Sequence, residues 1–210
     1  MVLAHALAPL SAKSCLESGL NILQVGDSPK VDDRPIALSW GSRLILEHLG
    51  LWAALPCTPI TAIHVSQQQA FGRTLITAAD HGIEALGYVG SYRDLIQGLS
   101  AGCPVATRDG RIAQWSDEPG GMRVQFTDKH TDERLRTRLL VLAEGGATPA
   151  EGREKVKAYG QSAVVCDLTT EKPHGNRAWE RFGPEGPLAL LPFRDHYALV
   201  WTSRSATAEA

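Results

Sequence analysis

Residues 186–201 read GPLALLPFRDHYALVW, and this stretch decides the fold. A run of apolar residues closes at Pro192, a charged turn follows, and a second apolar run continues to Trp201. Two short apolar runs across a polar turn predict a pair of strands, over residues 187–191 and 197–202. Working back from there, the same reading gives strands over 162–169 and 177–182, so the last third of the chain is mostly strand.

The N-terminal half reads differently. Leu3, Ala6, Leu7, Leu10 and Cys15 recur at a rough helical period, which predicts a helix over 2–18 kinked at Pro9 and stopped by Gly19. The short apolar run NILQV at 21–25, bounded by Gly26 and Pro29, predicts a buried strand. A helix followed by a strand is the latter half of a β-α-β unit. Residues 36–38 lead into a second helix over 41–49. Residues 61–67 alternate in the strand manner and pair with 71–76 as a hairpin. A strand over 86–90 precedes an amphipathic helix over 91–99, for which Ser91 is the N-cap. Segments 104–107, 111–116, 123–126 and 138–143 then follow at close spacing. The turn formers Asp109-Gly110 and Pro119-Gly120-Gly121 lie between them, and this regularity predicts an antiparallel meander.

The resulting fold class is α/β with α+β character: a partial Rossmann-like β-α-β unit with an inserted meander, followed by a mixed sheet. Residues 1–160 form the first domain on this reading, 161–202 part of the second sheet, and 203–210 a flexible, small-residue tail.

Composition narrows the function classes. The chain has 210 residues, enough for one good core or a small domain pair sharing a sheet. Its 43% hydrophobic and 21% charged residues are ordinary for a soluble globular protein, and a net charge of -2 gives no electrostatic reason to expect nucleic acid. Cys15, Cys57, Cys103 and Cys166 lie far apart with no C-x-x-C pair, so they read as reduced thiols in a cytosolic protein. His174, His196 and the other histidines show no metal spacing and no Ser/His/Asp constellation. No apolar run approaches the roughly 18–20 residues of a membrane span. The opening MVLAHALAPL lacks the basic n-region of a signal peptide. The expected location is the cytoplasm, with peripheral attachment to the inner membrane as an alternative.

Four motifs, in this order and spacing, carry a resemblance: DDRPIALS (32–39), LGLWAAL (49–55), LLVLAEGG (139–146), and NRAWERFGPEGPLALLPF (176–193) with YALVW (197–201) behind it. Through them the chain resembles the aromatic-ring flavoprotein monooxygenases, most closely the polyprenyl-phenol hydroxylases of ubiquinone biosynthesis (the 2-octaprenyl-6-methoxyphenol hydroxylase type). The resemblance covers residues 2–201 but only the middle of the family's length. On that comparison the chain looks truncated at both ends, lacking the glycine-rich βα turn and a later G-D-A-A-H-type segment.

The resemblance implies an FAD-binding Rossmann-like unit, FAD as cofactor and NAD(P)H as reductant. It also implies hydroxylation of the ring of a polyprenyl phenol, by a fragment or truncated member that is not active alone. Membership of a peripheral ubiquinone-pathway complex goes with it. The alternative is a non-catalytic module that binds lipid-like phenols or partner enzymes.

The family sets an arginine of the D-x-R-x-I-A-L type against the cofactor, and Arg34 matches it; the bland alternative is a surface arginine paired with Asp32 or Asp33. Arg93 matches an arginine that approaches the pyrophosphate, the alternative being a solvated helix charge. Gln24 stands where an acidic residue usually accepts the ribose hydroxyls. Glu144 and Gly145 replace an A-D-G turn beside the cofactor, where a plain β-turn is the alternative. Trp179, Phe182, Leu188, Leu190 and Pro192 match the floor of the family's substrate cavity, although for any one of them ordinary sheet packing is the safer reading.

Overall fold

The computed structural model describes residues 1–11, 21–26, 32–101, 103, 105–127, 134–143 and 157–208. Its helices are α1 (Val2–Ser11), α2 (Trp40–His48), α3 (Tyr92–Ser100) and α4 (Ser205–Ala208). The first seven strands are β1 (Leu23–Val25), β2 (Pro35–Ser39), β3 (Thr58–Ile60), β4 (Ala62–Gln67), β5 (Arg73–Thr77), β6 (Gly87–Ser91) and β7 (Ala106–Arg108). The remainder are β8 (Arg111–Glu118), β9 (Gly121–Thr127), β10 (Arg134–Thr137), β11 (Gln161–Leu168), β12 (Arg177–Phe182), β13 (Pro187–Phe193) and β14 (His196–Arg204). The chain is α/β, as the sequence predicts, and its contacts divide it into two compact units.

The first unit draws on Leu3–Lys30 and Cys103–Lys157. In it β1 pairs in parallel with β7, and β8, β9 and β10 form an antiparallel meander. Val124 and Phe126, two apart on β9, turn to the same side and are buried. Pro119 and Gly120, the latter at φ 79°, close the β8–β9 hairpin. The predicted four-segment meander needs correcting at both ends. Its first segment leaves it, because β7 takes β1 as partner. Its last strand is RLRT at 134–137, not the more apolar 138–143. A strand is defined by its ladder, and no described strand pairs with 138–143; Leu139, Val141 and Leu142 are exposed there. The helix predicted over 2–18 is described only to Ser11.

The second unit draws on Val31–Gly102 and Ala158–Ala210 and is layered. In its centre lies the antiparallel sheet β2-β6-β3. On one side Leu46 of α2, Leu95 of α3, Leu51 and Leu55 pack with Ile36, Leu38 and Trp52. On the other side Val89 and Ile60 pack against Ala178, Phe193 and Ala198 of the large sheet, with Ile63 and Leu191 beside them. Val89 is fully buried; burying such an aliphatic side chain contributes about 1.5–3 kcal/mol. Gly90 faces the helix side, where an added Cβ would sit 2.9 Å from the Cys57 sulfur and force that side chain to shift. β3 has no counterpart in the sequence reading. Its central Pro59 argues against a strand, yet β3 lies at a sheet edge, where a missing N–H is tolerated.

The large sheet has six strands in the order β11-β14-β13-β12-β4-β5, antiparallel except where β12 runs parallel to β4. The opening motif forms its β13–β14 hairpin, with Leu190 opposite Leu199 and Pro192 opposite Tyr197. The predicted flexible tail needs correcting as far as 208. β14 continues through the fully buried Ser203, and the Ser205 N–H donates to the Gly160 carbonyl at 3.1 Å. Small residues there suit close packing against β11, which composition alone does not reveal.

Candidate functional site

Two features of the second unit gather six of the ten residues that the sequence nominates: Arg34 and Arg93 in one, Trp179, Leu188, Leu190 and Pro192 in the other. The first lies where β2 and β6 meet α3. Ser91 ends β6 and caps α3, its Oγ accepting the Asp94 N–H at 3.0 Å. The Tyr92 N–H donates to the Arg34 carbonyl at 2.9 Å, which holds residues 34 and 92 side by side. The Arg34 guanidinium lies 4.4 Å from the centre of the Tyr92 ring, and its Nη1 is 3.6 Å from Asp32. Arg93 grips Asp33 with two bonds, Nε to Oδ1 at 2.8 Å and Nη2 to Oδ2 at 3.3 Å. The Arg93 hydrogen bond holds the Asp33 carboxyl below the ordinary carboxylate range. Beside them Arg194 pairs with Asp94 at 3.2 Å.

Arg34 and Arg93 are thus brought together, and both are exposed. Exposed ion pairs are worth little, so an incoming phosphate can compete with the aspartates for them. The arrangement can therefore take an anion, with guanidinium forks suited to phosphate oxygens. In the first unit, Gln24 lies on β1 opposite Thr107, and among the described residues its buried Oε1 has no hydrogen-bond partner. An orphan acceptor of this kind fits a hydroxyl donor such as a ribose. The paired arginine forks fit the phosphate oxygens of the group that the resemblance implies. Glu144 and Gly145 lie outside the described residues.

The second feature is one face of the six-stranded sheet. Strand register sets Leu75, His64, Trp179, Leu190, Leu199 and Cys166 in one row across it. Alternation adds Leu188, Pro192, Tyr197 and Trp201 to the same face. Of the five residues that the sequence nominates for substrate, Trp179, Leu188, Leu190 and Pro192 share this face. Phe182 does not, because it stands three positions from Trp179 on β12 and so points to the opposite side. Trp179 keeps 37% of its surface exposed; its ring lies 4.7 Å from His64 and its indole N–H donates to the Tyr197 hydroxyl at 3.1 Å. Leu188, Leu190, Leu199 and Trp201 are half-buried.

The sequence reading missed Tyr92, His64 and Tyr197; it named Asp33 as a partner for Arg34, whereas Asp33 pairs with Arg93 and Arg34 with Asp32. Asp33 and Tyr92 flank the nominated arginines and were legible as neighbours. His64 and Tyr197 depend on which strands pair, a matter that no local pattern specifies. Among the described residues no group of three His, Cys, Asp or Glu is placed to hold a metal. No described helix is long and apolar enough to cross a membrane.

No protein-family model matches the chain. Among solved structures it is similar to PqsL of Pseudomonas aeruginosa, described as a probable FAD-dependent monooxygenase. The TM-score is 0.71 at 17% identity, over 99% of this chain and 58% of that one. It is also similar to HpxO of Klebsiella pneumoniae, solved with FAD and uric acid, with a TM-score of 0.67 at 16% identity over 96% of this chain and 53% of that one. The fold is thus one shared with FAD-dependent monooxygenases.

Among curated proteins it is 46% identical over 82 residues to the mouse (Mus musculus) ubiquinone biosynthesis monooxygenase COQ6, 36% of this chain and 17% of that protein. With COQ6 of Xenopus tropicalis the identity is 28% over 200 residues, 81% of this chain and 41% of that protein. The chain is related by sequence to the aromatic-ring flavoprotein monooxygenases, through their ubiquinone-biosynthesis members. It thus spans about two fifths of the length of the Xenopus relative and less of the mouse one.

Proposed function

We propose that these residues supply the substrate-bearing sheet and part of the cofactor site of an FAD-dependent monooxygenase that hydroxylates the ring of a polyprenyl phenol, with NAD(P)H as reductant. The carrying observation is the row of Trp179, Leu190 and Leu199 on one sheet face, apolar and still partly open. Such a surface suits a ring with an isoprenoid tail. Arg34 and Arg93 would hold phosphate oxygens, and the resemblance alone assigns Gln24, Glu144 and Gly145 to the cofactor. The flavin supplies oxygen activation when bound. The chain's own task is to bind the ring, orient it and exclude water, and no amino-acid nucleophile is needed. We place the activity in the cytoplasm, at the inner-membrane surface, where a polyprenyl substrate resides.

A second reading, a non-catalytic binding module for lipid-like phenols, is favoured by one observation: Arg34 and Arg93 already face Asp32 and Asp33. The test is to purify the chain, add FAD, remove the excess and record the visible spectrum. Flavin bands near one per chain support the monooxygenase reading. Colourless protein that cannot be reconstituted removes the cofactor role from this chain and leaves the second reading.

A further inference from the structure

An indole 37% exposed on a sheet face would ordinarily turn its N–H to water. That of Trp179 turns inward instead, to a hydroxyl on the buried Tyr197. The Tyr197 O–H in turn donates to the His174 carbonyl at 3.3 Å, so the phenolic oxygen accepts one bond and donates another. The His174 carbonyl also accepts the Arg177 N–H at 3.1 Å, closing a tight turn in which Gly175 and Asn176 have φ of 57° and 56°. His174 is itself fixed at both ring nitrogens. Nδ1 accepts the Asn176 N–H at 2.9 Å, so Nε2 carries the ring hydrogen and donates to the Arg194 carbonyl at 3.0 Å. The chain of bonds from the indole to the β13–β14 turn is therefore continuous, and every link uses a donor against an acceptor. The His64 ring lies tilted 4.7 Å from the same indole, and the Arg177 guanidinium sits 5.6 Å over it.

We propose that Tyr197, seated by His174, is a positioning residue that fixes the plane of Trp179 as the wall against which a ligand's aromatic ring rests. This rests on the reading of the face as a phenol site. An aromatic pair gains from offset or edge-to-face geometry, so a wall held at one angle selects a ring pose. A free indole would have to lose that rotational freedom on binding.

The test is a double-mutant cycle read by equilibrium dialysis, with 2-prenylphenol as the probe and Trp179→Phe, Tyr197→Phe and the combined variant compared with the natural chain. Tyr197→Phe keeps the buried ring and removes only the hydroxyl. Its dissociation constant should rise about three- to tenfold, the size of one lost neutral hydrogen bond. In the Trp179→Phe background the same change should have no further effect, because its route of action has gone. Equal effects of Tyr197→Phe in both backgrounds, or none in either, would overturn the proposal. Should Tyr197→Phe not fold, His174→Ala in the same two backgrounds gives the same reading. Failure of the underlying phenol-site reading shows earlier and separately, as no 2-prenylphenol bound by the natural chain, and it overturns the proposal as well.

Discussion

Replacing Ser91 by alanine should destabilise the protein more than the same change at Ser39, although both serines cap a helix in the same way. Ser39 Oγ accepts the Ser42 N–H at 3.1 Å at the start of α2, and Ser91 Oγ accepts the Asp94 N–H at 3.0 Å at the start of α3. The two differ in surroundings: Ser39 is exposed, whereas Ser91 is 0% exposed. Water can replace the lost acceptor at Ser39, so Ser39→Ala should cost about 0.5–1 kcal/mol. At Ser91 the Asp94 N–H loses its partner where water has poor access, and the cost should approach about 2 kcal/mol. For a chain of this size a change of about 1 kcal/mol moves the melting temperature by roughly 2–4 °C. Ser91→Ala should therefore melt about 4–8 °C lower, and Ser39→Ala no more than about 4 °C lower. Paired urea and thermal unfolding measure both, and Ser91→Thr should recover most of the loss. A Ser91→Ala cost equal to or below that of Ser39→Ala would refute the argument that burial of the cap sets its value.

Other outcomes follow from the same geometry. Burial raises the Cys57 thiol to about 11, aided by nearby Asp94, whereas Cys166 is exposed. Peptide-resolved alkylation of native protein at mildly alkaline pH should therefore mark Cys166 well before Cys57; equal rates would contradict this. Asp33 is held below its ordinary value of 3.8 by Arg93, so its contribution to stability is complete above that value and is lost as pH falls through the lower folded one. Replacing Arg93 by glutamine should return the Asp33 titration, followed by carboxyl NMR, towards the ordinary value, and an unmoved curve would count against the pairing. Leu139, at 73% exposed, and Val141 should promote self-association. Leu139→Lys with Val141→Lys should shift the size-exclusion profile towards monomer, and an unchanged profile would refute the link.

Local signals were legible where the sequence itself closes the structure. Ser91 is the cap it reads as, and the hairpin of 187–191 with 197–202 forms with its turn at Arg194 and Asp195. Non-local pairings were not legible. Apolarity alone favours 138–143 as a strand over RLRT at 134–137, but only the latter meets β9, and β7 finds its partner in β1, more than eighty residues earlier. The site divides in the same way. Arg34 and Arg93 could be nominated from motifs, and the Arg34–Asp32 pair is local, whereas the Arg93–Asp33 pair and the seating of Arg34 on Tyr92 depend on how β2 and β6 register. Among the substrate-face residues, alternation along β12 is enough to separate Trp179 from Phe182 once the strand is recognised.

That separation gives the most direct test of the central claim, that one face of the six-stranded sheet receives the phenol ring. Trp179 and Phe182 lie on the same strand with comparable exposure, 37% and 45%, but on opposite faces. Trp179→Glu should abolish 2-prenylphenol binding in equilibrium dialysis, while Phe182→Glu should leave the dissociation constant within about twofold, consistent with the small effect of surface changes away from a site. Equal weakening by both substitutions, or binding that survives Trp179→Glu, would contradict the account.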